Sequence, residues 1–255
     1  MSKKSLQRRT TILNMLNEQG KISVTYLSDY FKVSDVSIRN DLSYLEKKGL
    51  LIRSHGGAIK NQPLNFDLNL SERIKSFHKE KSKIGVRAAK FVKEGYTVIM
   101  DSGSTTIEVA KHFEKINNIK VVTNSLPIAY ALADNKNIEV IMPGGVLRGQ
   151  MKSLKGSLTE KNILSFNCDL AFVGVDSIHP LNGIYTPSIA EASLSNHMIR
   201  IAKQVIVVAD SSKFNKKSFA KINDINAIDV LVTDKNISKD NIEKLESQGV
   251  RVVVV

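Results

Sequence analysis

Val33-Ser34-Asp35-Val36-Ser37-Ile38-Arg39-Asn40-Asp41-Leu42-Ser43-Tyr44-Leu45-Glu46-Lys47 decides how the N-terminal part of this chain is read. Ser34 is a good N-cap for a helix. At about 100° per residue, Ile38, Leu42 and Leu45 fall within one narrow arc, the face that packs. Val36, Asn40, Ser43 and Lys47 fall nearly opposite, with Arg39 and Glu46 on one flank and Ser37 and Tyr44 on the other. A solvated helix face more often holds several Lys and Glu. This face is small and hydrogen-bonding, with one cation. Such a face suits a DNA major groove, where Asn contacts N6 and N7 of adenine and Arg contacts O6 and N7 of guanine. Ser34 and Ser37, near the helix start, are placed to hold a phosphate.

Upstream, Leu6, Ile12, Leu13 and Leu16 repeat at helical spacing and stop at Gly20. A second helix follows Ser23, with Leu27, Tyr30 and Phe31 on one face. Downstream, Gly49 suits a C′ position. Leu50-Leu51-Ile52-Arg53, a Ser54-His55-Gly56-Gly57 turn and Ala58-Ile59 then read as a β-hairpin. Its tip, with Arg53 and His55, is expected to touch the DNA backbone or minor groove as a wing. Residues 1–60 are thus predicted to be three helices and a hairpin that bind DNA. The same arrangement also occurs in interaction modules with no DNA role.

Charge agrees with a polyanion partner. The chain carries 37 Lys and Arg against 25 Asp and Glu, net +12. Residues 1–60 hold 11 and 5 of these, so half the excess sits in under a quarter of the 255 residues. With 42% hydrophobic and 24% charged residues the chain is globular rather than disordered. No apolar run approaches the roughly 18 residues of a membrane span. The basic start, broken by Arg8, Arg9, Asn14 and Asn17, lacks an apolar signal core, so a cytoplasmic protein is expected. One cysteine, Cys168, and five scattered histidines supply no metal-ligand spacing; no metal and no cofactor are expected.

Residues 61–77 are polar without a sustained period and read as a linker, of which Leu64, Phe66, Leu68 and Leu70 alternate enough to dock as a strand. From 78 to 255, seven short β-branched runs at 97–100, 120–123, 139–142, 170–173, 205–208, 230–233 and 250–255 alternate with helical patterns. That order predicts a mostly parallel sheet covered on both faces. After the first run, Asp101-Ser102-Gly103-Ser104-Thr105-Thr106 forms a hydroxyl-rich loop at a helix start, suited to an anion. It equally fits a plain βα turn with capping hydroxyls. No Walker A lysine and no GxGxxG accompany it. Other strands end in Asn124, Asp176, Asp210 and Asp234. Open α/β sheets bind ligands outside these carboxyl ends. Pro143-Gly144-Gly145 leads to Arg148, and Asp210-Ser211-Ser212-Lys213-Phe214 sets a cation beside hydroxyls. Arg148 and Lys213 are the candidates to neutralise a phosphate.

The run from Val33 to Leu42, followed by Leu45-Glu46-Lys47-Lys48-Gly49 and Arg53-Ser54-His55-Gly56-Gly57-Ala58, resembles the winged helix-turn-helix of DeoR-family bacterial repressors. Ser37 stands where the family more often has Thr, and Asn40 where it more often has Arg, so no operator sequence carries over. Residues 78–235 resemble the DeoR sensor domain through the 101–106 loop, Thr123-Asn124-Ser125, Gly144-Gly145 with Arg148, Phe172-Val173-Gly174-Val175-Asp176, Glu191-Ala192 and Asp210-Ser211-Ser212-Lys213-Phe214. The 38–42 and 210–215 runs look most like the branch that represses N-acetylgalactosamine utilisation.

The resemblance implies a sensor fold similar to sugar-phosphate isomerases, glucosamine-6-phosphate deaminase and CoA transferases. It implies no catalysis, an operator-DNA partner, self-association as dimer or tetramer, and a phosphorylated sugar effector, such as N-acetylgalactosamine 6-phosphate or a tagatose phosphate, that releases the operator. The residues expected on DNA are Ser34, Val36, Ser37, Arg39, Asn40, Ser43, Tyr44, Lys47, Arg53 and His55. Those expected on effector are Asp101, Ser102, Gly103, Ser104, Thr105, Thr106, Asn124, Gly144, Gly145, Arg148, Asp176, Glu191 and Lys213. The competing enzyme reading, a sugar-phosphate isomerase or deaminase with an appended helix-turn-helix, would use Asp176, His179 or Glu191 for proton transfer.

Overall fold

The computed structural model describes residues 3–47, 50–54, 56–60, 69–114, 116–214 and 216–255. The chain forms two compact units, Met1–Pro63 and Leu64–Val255.

The first unit runs α1 (Lys3–Gln19), β1 (Lys21–Ser23), α2 (Val24–Phe31), α3 (Asp35–Lys47), β2 (Leu51–Ser54) and β3 (Gly57–Lys60). The apolar periodicity becomes one core: Ile12, Leu16, Leu27, Ile38, Leu42 and Leu45 are buried together with Leu51 and Ala58. Both expected caps form. Ser23 Oγ accepts from the Tyr26 amide (3.1 Å) and Ser34 Oγ from the Ser37 amide (3.3 Å). Tyr30, expected on the packed face of α2, is exposed and meets Phe31 edge-on instead. Gly49, expected at C′, lies outside the described residues.

The hairpin is really a three-stranded antiparallel sheet in the order β1-β3-β2. The three residues of β1 were too few to show a period. Gly57 explains the pairing: a Cβ there would lie 2.1 Å from the Ile22 carbonyl oxygen. Only glycine lets β3 approach β1 this closely.

The second unit opens with α4 (Leu70–Lys75) and α5 (His78–Ala89). The expected linker over 61–77 is therefore helical in part. Leu70, the last residue of the expected strand, is buried at the start of α4, and the Leu70 amide donates to the Gln150 carbonyl (3.1 Å). Leu64, Phe66 and Leu68 lie outside the described residues. The chain continues through β4 (Thr97–Met100), α6 (Ser104–Ala110), β5 (Ile119–Thr123), α7 (Leu126–Leu132), β6 (Ile138–Ile141), β7 (Val146–Arg148), β8 (Ser153–Lys155) and α8 (Ser157–Ile163). It ends with β9 (Cys168–Gly174), β10 (Ser177–His179), β11 (Gly183–Thr186), α9 (Ile189–Arg200), β12 (Ala202–Val208), β13 (Ala220–Asn223), β14 (Val230–Thr233), α10 (Lys239–Ser247) and β15 (Arg251–Val254).

All seven expected runs pair in one parallel sheet, β15-β14-β12-β9-β4-β5-β6. Alternate residues feed two cores. Ile99, Val122, Ala171, Val205 and Leu231 pack with Met198 of α9 and Leu245 of α10. Val98, Val121, Leu170, Phe172 and Ile206 pack with Ile84 of α5 and Ile107 of α6. Cys168, buried at the start of β9, lies on the central strand. A small antiparallel sheet, β10-β11-β13, and the β7-β8 hairpin were not expected; each strand has only three or four residues. No helix among the described residues is long and apolar enough to cross a membrane.

Chain order in the large sheet runs outward from β4 to β6, then returns to β9 beside β4 and runs outward the other way. The order reverses between β4 and β9. A crevice forms at such a point, outside the carboxyl ends of the strands.

Candidate functional site

Two regions bring the expected residues together, one in each unit. In the first, α3 presents Val36 (66% exposed), Arg39, Asn40 and Lys47 to solvent, with Ser37 and Ser43 half-buried and Ser34 exposed at its start. Ser34 and Ser37 already share a hydroxyl contact at 3.1 Å. Among the described residues Arg39 has one ion-pair partner, Asp35 at 3.8 Å, and both are exposed, so its guanidinium is available to a base or phosphate.

Tyr44 departs from expectation. Its ring packs on the core and lies under the Arg9 guanidinium, 3.9 Å from the ring centre, so it braces α1 against α3. Next to it, Asp41 is buried (2% exposed) and accepts from Arg8 Nε (2.5 Å) and Arg9 Nε (2.6 Å). Arg53 sits on β2, in the run expected before the turn. Its amide donates to Glu46 Oε1 (2.9 Å), which ties the wing to α3. His55 lies outside the described residues.

In the second unit a cleft of about 830 Å³, including its open mouth, lies where the sheet order reverses. Of the expected effector residues, Asp101, Ser102, Gly103, Ser104, Thr105, Asn124, Arg148, Asp176, Glu191 and Lys213 line it. The carboxylate of Asp101 braces the loop. It accepts from the amides of Gly103 (2.9 Å) and Gly174 (2.7 Å) and from the Thr106 hydroxyl (2.8 Å), joining the ends of β4 and β9. Burial nonetheless pushes its pKa up to about 6. Thr106 points inward and is fully buried, bonded within this loop rather than lining the cleft.

Gly144 and Gly145 also lie off the cleft. The Gly144 carbonyl accepts from the Thr159 hydroxyl (2.7 Å), and a Cβ on Gly145 would fall 1.9 Å from Thr159 Oγ1. Gly145 lets the chain pack closely against α8.

Sequence reasoning missed Arg73, on α4, which lines the cleft and pairs with Asp176. Arg148 pairs with Glu191. The Thr186 hydroxyl lies 3.1 Å from Asp176 Oδ2 and 3.0 Å from Glu191 Oε2, so one continuous chain of contacts runs Arg73, Asp176, Thr186, Glu191, Arg148. Lys213 Nζ stands 3.9 Å from Asp176. Burial, with Arg73 and Lys216 nearby, brings Lys213 down to about 7. Burial also lowers Arg73 and Arg148 from the usual arginine range. Asn124, only 3% exposed, donates through Nδ2 to the Leu154 carbonyl (3.0 Å), while its Oδ1 is buried with no hydrogen-bond partner. A buried acceptor with no donor costs about 1–3 kcal/mol, so it points to a donor supplied from the cleft. The described residues hold no cluster of three or more groups suited to a metal ion.

Residues 8–63 match the DeoR-like helix-turn-helix domain, and residues 76–235 match the DeoR C terminal sensor domain. The chain belongs to the DeoR family. It is a DNA-binding transcription regulator of that family and not an enzyme. His179, an acid–base candidate of the enzyme reading, does not line the cleft; its Nδ1 accepts from the amides of Leu181 and Asn182.

This DeoR-family chain is 37% identical over 251 residues to a protein of Escherichia coli O157:H7 named as an aga operon transcriptional repressor, covering 98% of this chain and 93% of that one. It is 35% identical to the regulator GlpR of Haloferax volcanii, covering 97% and 96% of the two chains. It is 33% identical to the repressor GlcR of Bacillus subtilis, covering 97% and 95%. Among solved structures it is similar to ribose 5-phosphate isomerase A from Methanocaldococcus jannaschii, with a TM-score of 0.40, 16% identity and 56% of each chain covered.

Proposed function

We propose that this DeoR-family regulator represses a sugar-utilisation operon and is released from its operator by a phosphorylated sugar bound in the cleft. The observation that carries this is the lining of one crevice by three cations (Arg73, Arg148, Lys213), a hydroxyl-rich loop (Ser102, Ser104, Thr105) and the unpartnered Asn124 carbonyl. The cations are already paired with carboxylates, and this favours a phosphosugar over a bare anion. Phosphate oxygens take over the cations, and the freed Asp176 and Glu191 carboxylates take the sugar hydroxyls. No buried charge is left alone by that exchange. A bare anion would strand two carboxylates.

On DNA, Asn40, Arg39, Val36 and Lys47 face base edges, and Ser34, Ser37 and Ser43 hold the backbone. The chain acts as a homo-oligomer whose paired α3 helices stand one DNA turn, about 34 Å, apart. The likeness to an aga operon repressor supports the branch suggested by the 38–42 and 210–215 runs. N-acetylgalactosamine 6-phosphate and the tagatose phosphates therefore lead the list of effectors.

A thermal-shift screen of phosphorylated sugars against their unphosphorylated parents tests the cleft. A ligand at 100 times its Kd raises stability by about 2.7 kcal/mol. The expected result is stabilisation by one or more sugar phosphates and none by the parents, with the same compound weakening binding to operator DNA. Equal stabilisation by parent sugars, or by none of the set, overturns the proposal.

A further inference from the structure

The residue that the polar stretch concealed has a position unlike any other in the cleft. Arg73 belongs to α4, the first described element after the winged unit. Helix α4 has only six residues. So short a helix does not hold itself together in water, because few hydrogen bonds offset its nucleation. Its ties to the rest of the unit set where it sits.

Those ties are few. The Leu70 side chain is buried in the core that also contains Met151, and its amide donates to the Gln150 carbonyl, in the turn between β7 and β8. Arg148, the second arginine of the cleft, stands at the end of β7 beside that turn. The Arg73 guanidinium pairs with Asp176, just past β9. At the other end, buried Lys81 of α5 donates through Nζ to the carbonyls of Arg73 (2.5 Å) and Ser76 (2.7 Å). Lys81 thus caps α4 from a fixed element. The Arg73–Asp176 pair is the tie a cleft ligand can break, since Asp176 is also the group that Lys213 and Thr186 face.

We infer that Arg73 is the residue that carries effector occupancy out of the cleft: ligand binding transfers its guanidinium from Asp176 to the phosphorylated ligand, and α4, the first described element after the winged unit, shifts with it. This rests on the cleft being a phosphosugar site. Arg73 thus belongs to the ligand site and also carries the response. Coupling of this kind is reciprocal and in regulators amounts to about 5–150-fold in affinity.

The test uses the full chain, a duplex selected by the wild type from a random-sequence pool, and the tightest binder among N-acetylgalactosamine 6-phosphate, tagatose 6-phosphate, glucosamine 6-phosphate and fructose 6-phosphate. In Arg73→Gln, ligand affinity falls, as for any cation of the site, and release of the duplex at ligand concentrations that saturate the variant falls below about twofold. Arg73→Lys, which keeps a cation toward Asp176, restores release. Normal release by Arg73→Gln overturns the inference. Hydrogen exchange on the wild type keeps the test open if the glutamine variant does not fold. The amides of residues 70–76 must change protection on ligand binding, and unchanged protection overturns the inference. Failure of the wild type to bind any of the four sugars is a different result, because it removes the phosphosugar reading itself.

Discussion

Each unit of the chain buries arginine–carboxylate pairs, and the two sets do opposite work. In the winged unit, Asp41 is sealed between Arg8 and Arg9 over a closed apolar core, and Arg9 is stacked on Tyr44. In the sensor unit, Arg73–Asp176 and Arg148–Glu191 line an open cleft beside Lys213 and an unpartnered amide oxygen. The chemistry is the same. What differs is access to the carboxylate: Asp41 is 2% exposed, against 16% for Asp176 and 23% for Glu191. A sealed pair fixes α1 against α3 and leaves the outer face of α3 rigidly presented. An accessible pair is a placeholder that a ligand with both phosphate and hydroxyl groups can replace on both sides.

That contrast is broken most forcefully at its sealed end. Asp41→Ala leaves two largely buried arginines facing each other and should cost about 3–5 kcal/mol of winged-unit stability, by denaturant melt. The sensor unit should still bind ligand. A loss under about 1 kcal/mol would mean Asp41 does not hold the helices. At the accessible end, Lys213→Ala removes one charge-assisted bond to the ligand, about 1.5–3 kcal/mol, or roughly 10- to 100-fold in effector Kd by calorimetry. DNA affinity without effector should not change. Simultaneous loss of DNA binding would make Lys213 structural.

On the presented face, Asn40→Ala should cost about 1–3 kcal/mol at one operator base pair and spare nonspecific binding, as read by competition with single-substitution duplexes. Uniform weakening across all sequences would move Asn40 to the phosphate backbone. The smallest effect is in protons. Lys213 sits at about 7, below its usual value, because of burial first and then Arg73 and Lys216, with Asp210 acting the other way. The unfolded chain holds that proton up to about pH 10.5, so the unliganded sensor unit gains stability as pH rises from about 7 toward 10.5. An anionic ligand reverses the balance by favouring protonated Lys213. Binding near pH 7.5 should take up a fraction of a proton and weaken above it. Calorimetry in buffers of different ionisation enthalpy reads this directly, and zero uptake would exclude Lys213 from the anion site.

The sequence showed what repeats locally. Each run of the large sheet is flanked by helical patterns and apolar on both faces, so all seven parallel strands were legible, as was the outward face of α3 with Val36, Asn40 and Lys47. Single residues whose role comes from a distant partner were not. Tyr44 lies on the flank of α3 by angle alone, and Arg9 of α1 covers it. Gly145 was read only as an effector-binding residue, yet Thr159 of α8 leaves no room for a Cβ there. Arg73 had no signal at all. Its helix is under two turns long, and its partner Asp176 follows a strand far along the chain.

Cys168, sunk in the middle strand of the large sheet, gives this regulator a built-in clock. Burial and Asp169 push its thiol up to about 12, so the native protein is expected to react slowly with alkylating reagents near neutral pH. Modification must wait until the sheet itself comes apart. With no other thiol to confuse the count, the rate at which label accumulates reports unfolding of the sensor unit alone. A true effector should slow that rate in proportion to its occupancy, in crude mixtures as well as in pure solution.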